Sequence, residues 1–188
     1  TCGDLGCDIV ELDLAINEIR TNQAGDDTDE YVEIVGDPGT SLDDYTYLVI
    51  GDSTTDGDYG VVEEALLLTG YTIPSSGYFL IGEETMTLGV PDLTITLNHE
   101  NSNAATYMLV RGFTGFLNDD LDTDDDGVLD ITPWLLIKDS VALVGPDPSV
   151  GNAVYSSTLV GPDGDYVPAH VIRCGANDWT IGCFDLLA

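Results

Sequence analysis

Positive charge is almost missing from this sequence. Four Lys and Arg stand against 35 Asp and Glu, for a formal net charge of −31 over 188 residues. A nucleic-acid backbone is gripped by clustered cations, so four scattered ones exclude that partner. They exclude electrostatic docking on an anionic membrane as well. No apolar run approaches the ~18 residues of a membrane span, which excludes helical insertion. Helical periodicity is also lacking: no long stretch places apolar residues at i, i+3, i+4 and i+7. Groups suited to catalysis are scarce. The two histidines, His99 and His170, have no partner legible in the sequence. No GxSxG frame surrounds Ser53, Ser76 or Ser140, and no GK[ST] phosphate loop occurs. Lys138 is the only lysine and sits beside Asp139, as a surface ion pair would. Two Trp, Trp134 and Trp179, are few for a sugar-stacking cleft. Close carboxylate pairs could serve glycoside hydrolysis, but with 35 acids such pairs arise by chance. This inventory predicts a protein that is not an enzyme.

What the sequence does hold is a core. Hydrophobic residues make up 43%, with nine Tyr and four Phe, far from the composition of a solvated tail. They fall in short β-rich runs at 12–20, 31–35, 45–50, 61–68, 78–81, 93–97, 105–110, 140–144, 154–159 and 167–173. Turn signals separate the runs, among them Gly36-Asp37-Pro38-Gly39, Pro74-Ser75-Ser76-Gly77 and Gly161-Pro162-Asp163-Gly164. About ten strands at this spacing predict an all-β sandwich or barrel. Leu66-Leu67-Leu68 and Tyr78-Phe79-Leu80-Ile81 are apolar on both faces and are expected to be central strands. No linker divides the chain. Residues 14–188 are therefore expected to form a single domain behind an N-terminal arm at 1–13.

The four cysteines sit at the two ends: Cys2 and Cys7, then Cys174 and Cys183. An even count in tight local pairs predicts disulfides and an oxidising, extracellular setting. Three pairings are possible. Short loops favour Cys2–Cys7 and Cys174–Cys183, which would give the arm a local pair. The chain opens on Thr1 rather than Met, consistent with a secreted chain whose signal peptide is gone. Strong acidity agrees with a saline or extracellular habitat, where ions relieve self-repulsion.

The clearest chemical motif lies in an acidic stretch at 118–130. Counting Asp122 as position 1, carboxylates fall at positions 1, 3, 5 and 9, as Asp122, Asp124, Asp126 and Asp130, with Gly127 at 6. That spacing matches the first nine positions of an EF-hand-type calcium loop. Alternate side chains in a tightly wound loop converge on one centre, Gly127 permits the sharp turn, and the Val128 carbonyl supplies position 7. Hard carboxylate oxygens suit calcium, and the lack of His and Cys argues against zinc or copper. Position 12 is Pro133 instead of the bidentate Glu, so a missing ligand is expected from Asp119, Asp120 or Asp139. The alternative is a solvated acidic loop.

Leu14-Ala-Ile-Asn-Glu-Ile-Arg20, followed by Asp29-Glu-Tyr-Val-Glu-Ile34, resembles the opening of a lamin-tail domain. Tyr45-Thr-Tyr-Leu-Val-Ile50 fits its next strand, although the family has a W-x-L element where this chain has Tyr47-Leu48. Residues 117–143, with the acidic loop, Trp134 and Asp139-Ser-Val-Ala-Leu143, resemble bacterial secreted members carrying a calcium-type insertion. The resemblance implies an immunoglobulin-like β-sandwich used as a non-catalytic module, with no activity carried over from any neighbouring domain. Two roles fit. One is a structural subunit of an extracellular filament or surface layer, self-associating through edge strands or the N-terminal arm. Residues 9–14 alternate well enough to complete a neighbour's sheet. The other is a monomeric calcium-stiffened adhesion module that binds a surface protein or polysaccharide.

Overall fold

The computed structural model describes residues 14–52, 58–147, 154–176 and 178–184. The N-terminal arm, Cys2 and Cys7 lie outside the described residues. The chain is all-β. Eleven strands form two mixed sheets, a complement consistent with a β-sandwich, and there is no helix among the described residues. The backbone groups into two compact units, each carrying one sheet.

The first unit draws its described residues from Thr1–Thr40, Thr72–Asn101 and Pro168–Ala188. Its strands are β1 (Ala15–Arg20), β2 (Tyr31–Val35), β5 (Tyr78–Gly82), β6 (Leu93–Thr94), β10 (His170–Arg173) and β11 (Trp179–Ile181). Their order is β11-β10-β1-β2-β5-β6, antiparallel except for β5–β6. Alternation places Val32, Ile34, Phe79 and Ile81 in its core, and a register shift on β1 between Ile16 and Glu18 lets Ile16 and Ile19 both be buried there. Each such side chain contributes about 1.5–3 kcal/mol over an exposed one. Pro74 and Gly77 close the turn before β5, where Gly77 takes a φ of 86° and donates its N–H to the Pro74 carbonyl at 3.0 Å.

The second unit comprises Ser41–Tyr71 and Ser102–Val167. It holds β3 (Tyr45–Asp52), β4 (Tyr59–Leu67), β7 (Ala105–Arg111), β8 (Leu136–Leu143) and β9 (Leu159–Val160), in the order β4-β3-β7-β8-β9. Only β8–β9 is parallel. β3 and β7 are buried along almost their whole length. A cluster of Leu48, Ile50, Val62, Met108, Val110 and Leu121 forms a core, flanked by Phe113, Leu129, Trp134 and Tyr155.

Several expectations are corrected. Leu66 and Leu67 end β4, which is an edge strand, with Leu67 exposed, while Leu68 lies just past the strand and is buried. The strands buried throughout are β3 and β7, whose β-branched and aromatic residues fit a covered pleat. The run expected at 154–159 yields only the two residues of β9. β11 has three residues and went unforeseen, since its pairing with β10 and not its own pattern defines it. β8 begins at Leu136, four residues before the apolar run that announced it.

Candidate metal centre

The acidic loop is held by the edge of β4. Leu121 donates its N–H to the Gly60 carbonyl at 3.0 Å, and Val62 donates to the Asp119 carbonyl at 2.9 Å. Asp130 and Ile131 both donate to the Leu121 carbonyl, which closes the loop on itself. Leu121 and Leu129 anchor it to the core of the second unit. Gly60 is dictated by this approach: a Cβ there would stand 2.5 Å from the Asp122 Cβ and 2.8 Å from its backbone nitrogen, and its φ is 80°.

Within the loop, Asp122 is wholly buried. Its Oδ1 accepts from the Asp126 N–H at 3.2 Å, and its Oδ2 accepts from the Gly127 N–H at 2.9 Å and the Tyr155 hydroxyl at 2.7 Å. Gly127 has a φ of 84° with open space around its missing Cβ, so backbone conformation and not crowding requires glycine. Asp122, Asp124 and Asp130 each offer a carboxylate oxygen within 4.8 Å of the others. Asp130 Oδ2 also accepts from the backbone and hydroxyl of Thr123, at 3.0 and 2.5 Å.

The other predicted ligands stand differently. Asp126 Oδ1 accepts from the Val128 N–H at 2.9 Å, and Asp120 Oδ1 accepts from the Asp122 N–H at 3.1 Å. Neither belongs to the group of three. Asp119 caps a turn by accepting from the Phe116 N–H, and Asp139 lies on β8. Asp125 takes a φ of 55° and accepts from the Tyr59 N–H at 2.7 Å, a second tie to β4.

The electrostatics follow from this crowding. The charge of Asp126, then some desolvation, then the charges of Asp130 and Asp122 push the exposed Asp124 carboxyl above its ordinary pKa. Burial and then the Asp122 carboxylate push the Tyr155 hydroxyl far up, so it stays a donor. Asp122 is a buried carboxyl group whose donors, the Asp126 and Gly127 N–H groups and the Tyr155 hydroxyl, are neutral dipoles. Such an environment suits a divalent cation with oxygen ligands. Tyr155 and Gly60 escaped the sequence reading because they lie far from the loop in sequence and belong to no spacing pattern.

A second polar cluster lies in the first unit. The Tyr31 hydroxyl donates to Glu18 Oε1 at 2.5 Å, and His170 Nε2 lies 2.6 Å from the same oxygen. Burial opposes ionisation of Glu18. The His170 and Tyr31 hydrogen bonds, with the charges of His170 and Arg20, outweigh it and hold its pKa below the usual range. His170 is packed against Gly182, where any Cβ would collide with the ring, and its Nδ1 is buried without a partner. His99 is fully buried near the Arg20 carbonyl, and burial lowers its pKa to about 4. Glu30 hydrogen-bonds the His99 N–H, and burial, with Glu83 and Asp27 behind it, raises its pKa to about 8. Arg173 donates to the carbonyls of Ile16 and Ala176 and stacks 4.5 Å above Trp179.

Comparison with protein-family models, with curated proteins and with solved structures finds no match.

Proposed function

We propose that this chain is a non-catalytic, calcium-binding structural protein of the extracellular space. In this reading it is an immunoglobulin-like sandwich of the lamin-tail type, and copies of it associate into filaments or a surface layer. The observation that carries the reading is the convergence of Asp122, Asp124 and Asp130 in a loop whose first carboxylate is completely buried. Calcium would take these three, with Asp120, Asp126 and the Val128 carbonyl completing an oxygen shell of the usual six to eight ligands. It would also remove the like-charge repulsion at Asp124.

Secretion is supported by Cys174 and Cys183, both disulfide-bonded. The lamin-tail reading is supported by the fall of its motifs on β1, β2, β3 and β8. Self-association is supported by the start of β8 and the turn before it. Leu135, Leu136 and Ile137 are exposed at 82, 42 and 45%, and Phe116 and Leu117 are exposed as well. An apolar strand end of this kind offers main-chain pairing and apolar contact to a second sheet edge.

Light scattering during a calcium titration tests the reading, with electron microscopy of the end point. Particle mass should climb into filaments or sheets, and the melting temperature should rise with calcium. Asp124→Ala with Asp126→Ala should abolish both responses. A calcium-dependent melting shift unchanged in that double variant would remove the metal assignment. A particle that stays at the 20.0 kDa of one chain would replace the assembly with the monomeric adhesion module.

A further inference from the structure

Cys174 and Cys183 are both disulfide-bonded. The β10–β11 ladder shows that they are not bonded to each other. Val171 faces Ile181, Ile172 faces Thr180 and Arg173 faces Trp179. The Cys174 N–H extends this register by donating to the Asp178 carbonyl at 2.7 Å, and the Gly182 N–H extends it the other way by donating to the His170 carbonyl at 2.8 Å. Cys174 therefore closes one end of the ladder. Cys183 follows Gly182 at the opposite end, level with Ala169. Five residue positions along a strand separate the two levels, roughly 16 Å at about 3.3 Å per residue. A disulfide joins Cα atoms no more than about 7 Å apart. Even if Cys183 turned back toward Cys174 immediately after Gly182, a single residue could not span the difference.

The chain has four cysteines, so two remain as partners: Cys2 and Cys7, which lie outside the described residues. We infer that Cys174 and Cys183 belong to two separate disulfides, each to one of Cys2 and Cys7, replacing the local pairs that sequence spacing favours. Each bridge forms from two thiols with loss of two protons and two electrons, which an exchange disulfide takes up as it is reduced to its dithiol. The inference does not rest on the proposed function.

The sequence provides an unusually clean test. Trypsin cuts the unfolded chain only after Arg20, Arg111, Lys138 and Arg173, so Cys2 and Cys7 fall on the peptide 1–20 and Cys174 and Cys183 on 174–188. The native protein is alkylated at low pH without reductant, unfolded, digested and weighed. The expected result is one species containing both peptides, which separates into two on reduction and carries no alkyl group. Cleavage ahead of Asp4 and Asp178 then resolves which N-terminal cysteine meets which partner. Recovery of 1–20 and 174–188 as separate peptides, each internally bridged, would overturn the inference. So would linkage confined to a species of twice the chain mass on a non-reducing gel, or alkylation of any of the four thiols.

Discussion

Two regions of this molecule draw a carboxyl group out of water, Asp122 wholly and Glu18 in part, and they solve the same problem in opposite ways. Glu18, in the first unit, meets the imidazole of His170 and the hydroxyl of Tyr31, with the charge of Arg20 adding to theirs. Its counter-groups come from the chain, and the carboxyl is easier to ionise than usual. Asp122, in the second unit, meets two backbone N–H groups and a tyrosine hydroxyl, with three further Asp close enough to raise the pKa of Asp124 or share its ligand group. Here the chain supplies dipoles and more negative charge. The difference teaches that a buried carboxylate is not by itself a site. What marks the loop is that the groups donating to Asp122 carry no charge, together with ligand atoms brought within 4.8 Å.

The largest effect should come from wedging the loop off its support. Gly60→Ala places a methyl group against the backbone and Cβ of Asp122 at a φ of 80°, and should cost about 3 kcal/mol or more in chemical denaturation. Gly70→Ala is the control: its φ is 93° but nothing lies within 4 Å, so only the roughly 1 kcal/mol of backbone strain is expected. Equal losses at the two positions would mean that the Gly60 contact does not hold the loop.

Next come two amidations that contrast the clusters directly. Glu18→Gln takes away a charge that its neighbours favour and should destabilise by about 2 kcal/mol. The linkage sign agrees: a carboxyl held below its unfolded pKa lends stability above that value and loses it as pH falls through the folded pKa. Asp124→Asn takes away a charge that its neighbours disfavour. In chelator it should leave the melting temperature unchanged or slightly raised; with calcium it should lower it. A loss in chelator as large as that of Glu18→Gln would end the distinction between the clusters.

The last contrast sharpens the first unit alone. Glu30 has a folded pKa of about 8, well above the ordinary 4.5. The folded state therefore holds a proton that the unfolded state releases between those values, and stability falls as pH rises across that window. Glu30→Gln should flatten this dependence, matching wild type near pH 4 and exceeding it near pH 8. Parallel curves for the two proteins would show that Glu30 ionises normally.

The strands and the loop were legible in the sequence to different depths. Local pattern sufficed for β2, which spans Tyr31–Val35 as its alternation predicts, and nearly so for β3, β5 and β7. It failed where long-range pairing decides. Leu66-Leu67-Leu68 looks central by hydrophobicity, but place in a sheet is set by neighbours, and β4 lies at the edge. The loop spacing foretold Asp122, Asp124 and Asp130 together, because a tight turn brings alternate side chains inward from local geometry alone. It could not foretell Tyr155, 33 residues on, or the partner of His170, 152 residues back at Glu18. The cysteines show the same limit: spacing suggested local pairs, whereas one register between two short strands separates Cys174 from Cys183.

The order of strands in the first unit also has a mechanical consequence. β1 and β11 run in the same direction on either side of β10, which is antiparallel to both. Ala15 begins β1 at the end where Arg173 finishes β10, while Ile181 finishes β11 at the far end, beside Val171. Tension drawn between Ala15 and Ile181 therefore pulls along the strands in opposite senses. It shears the ladder bonds as a set, where a zipper would present them to the load one after another. A segment stretched between those two points would yield late and all at once.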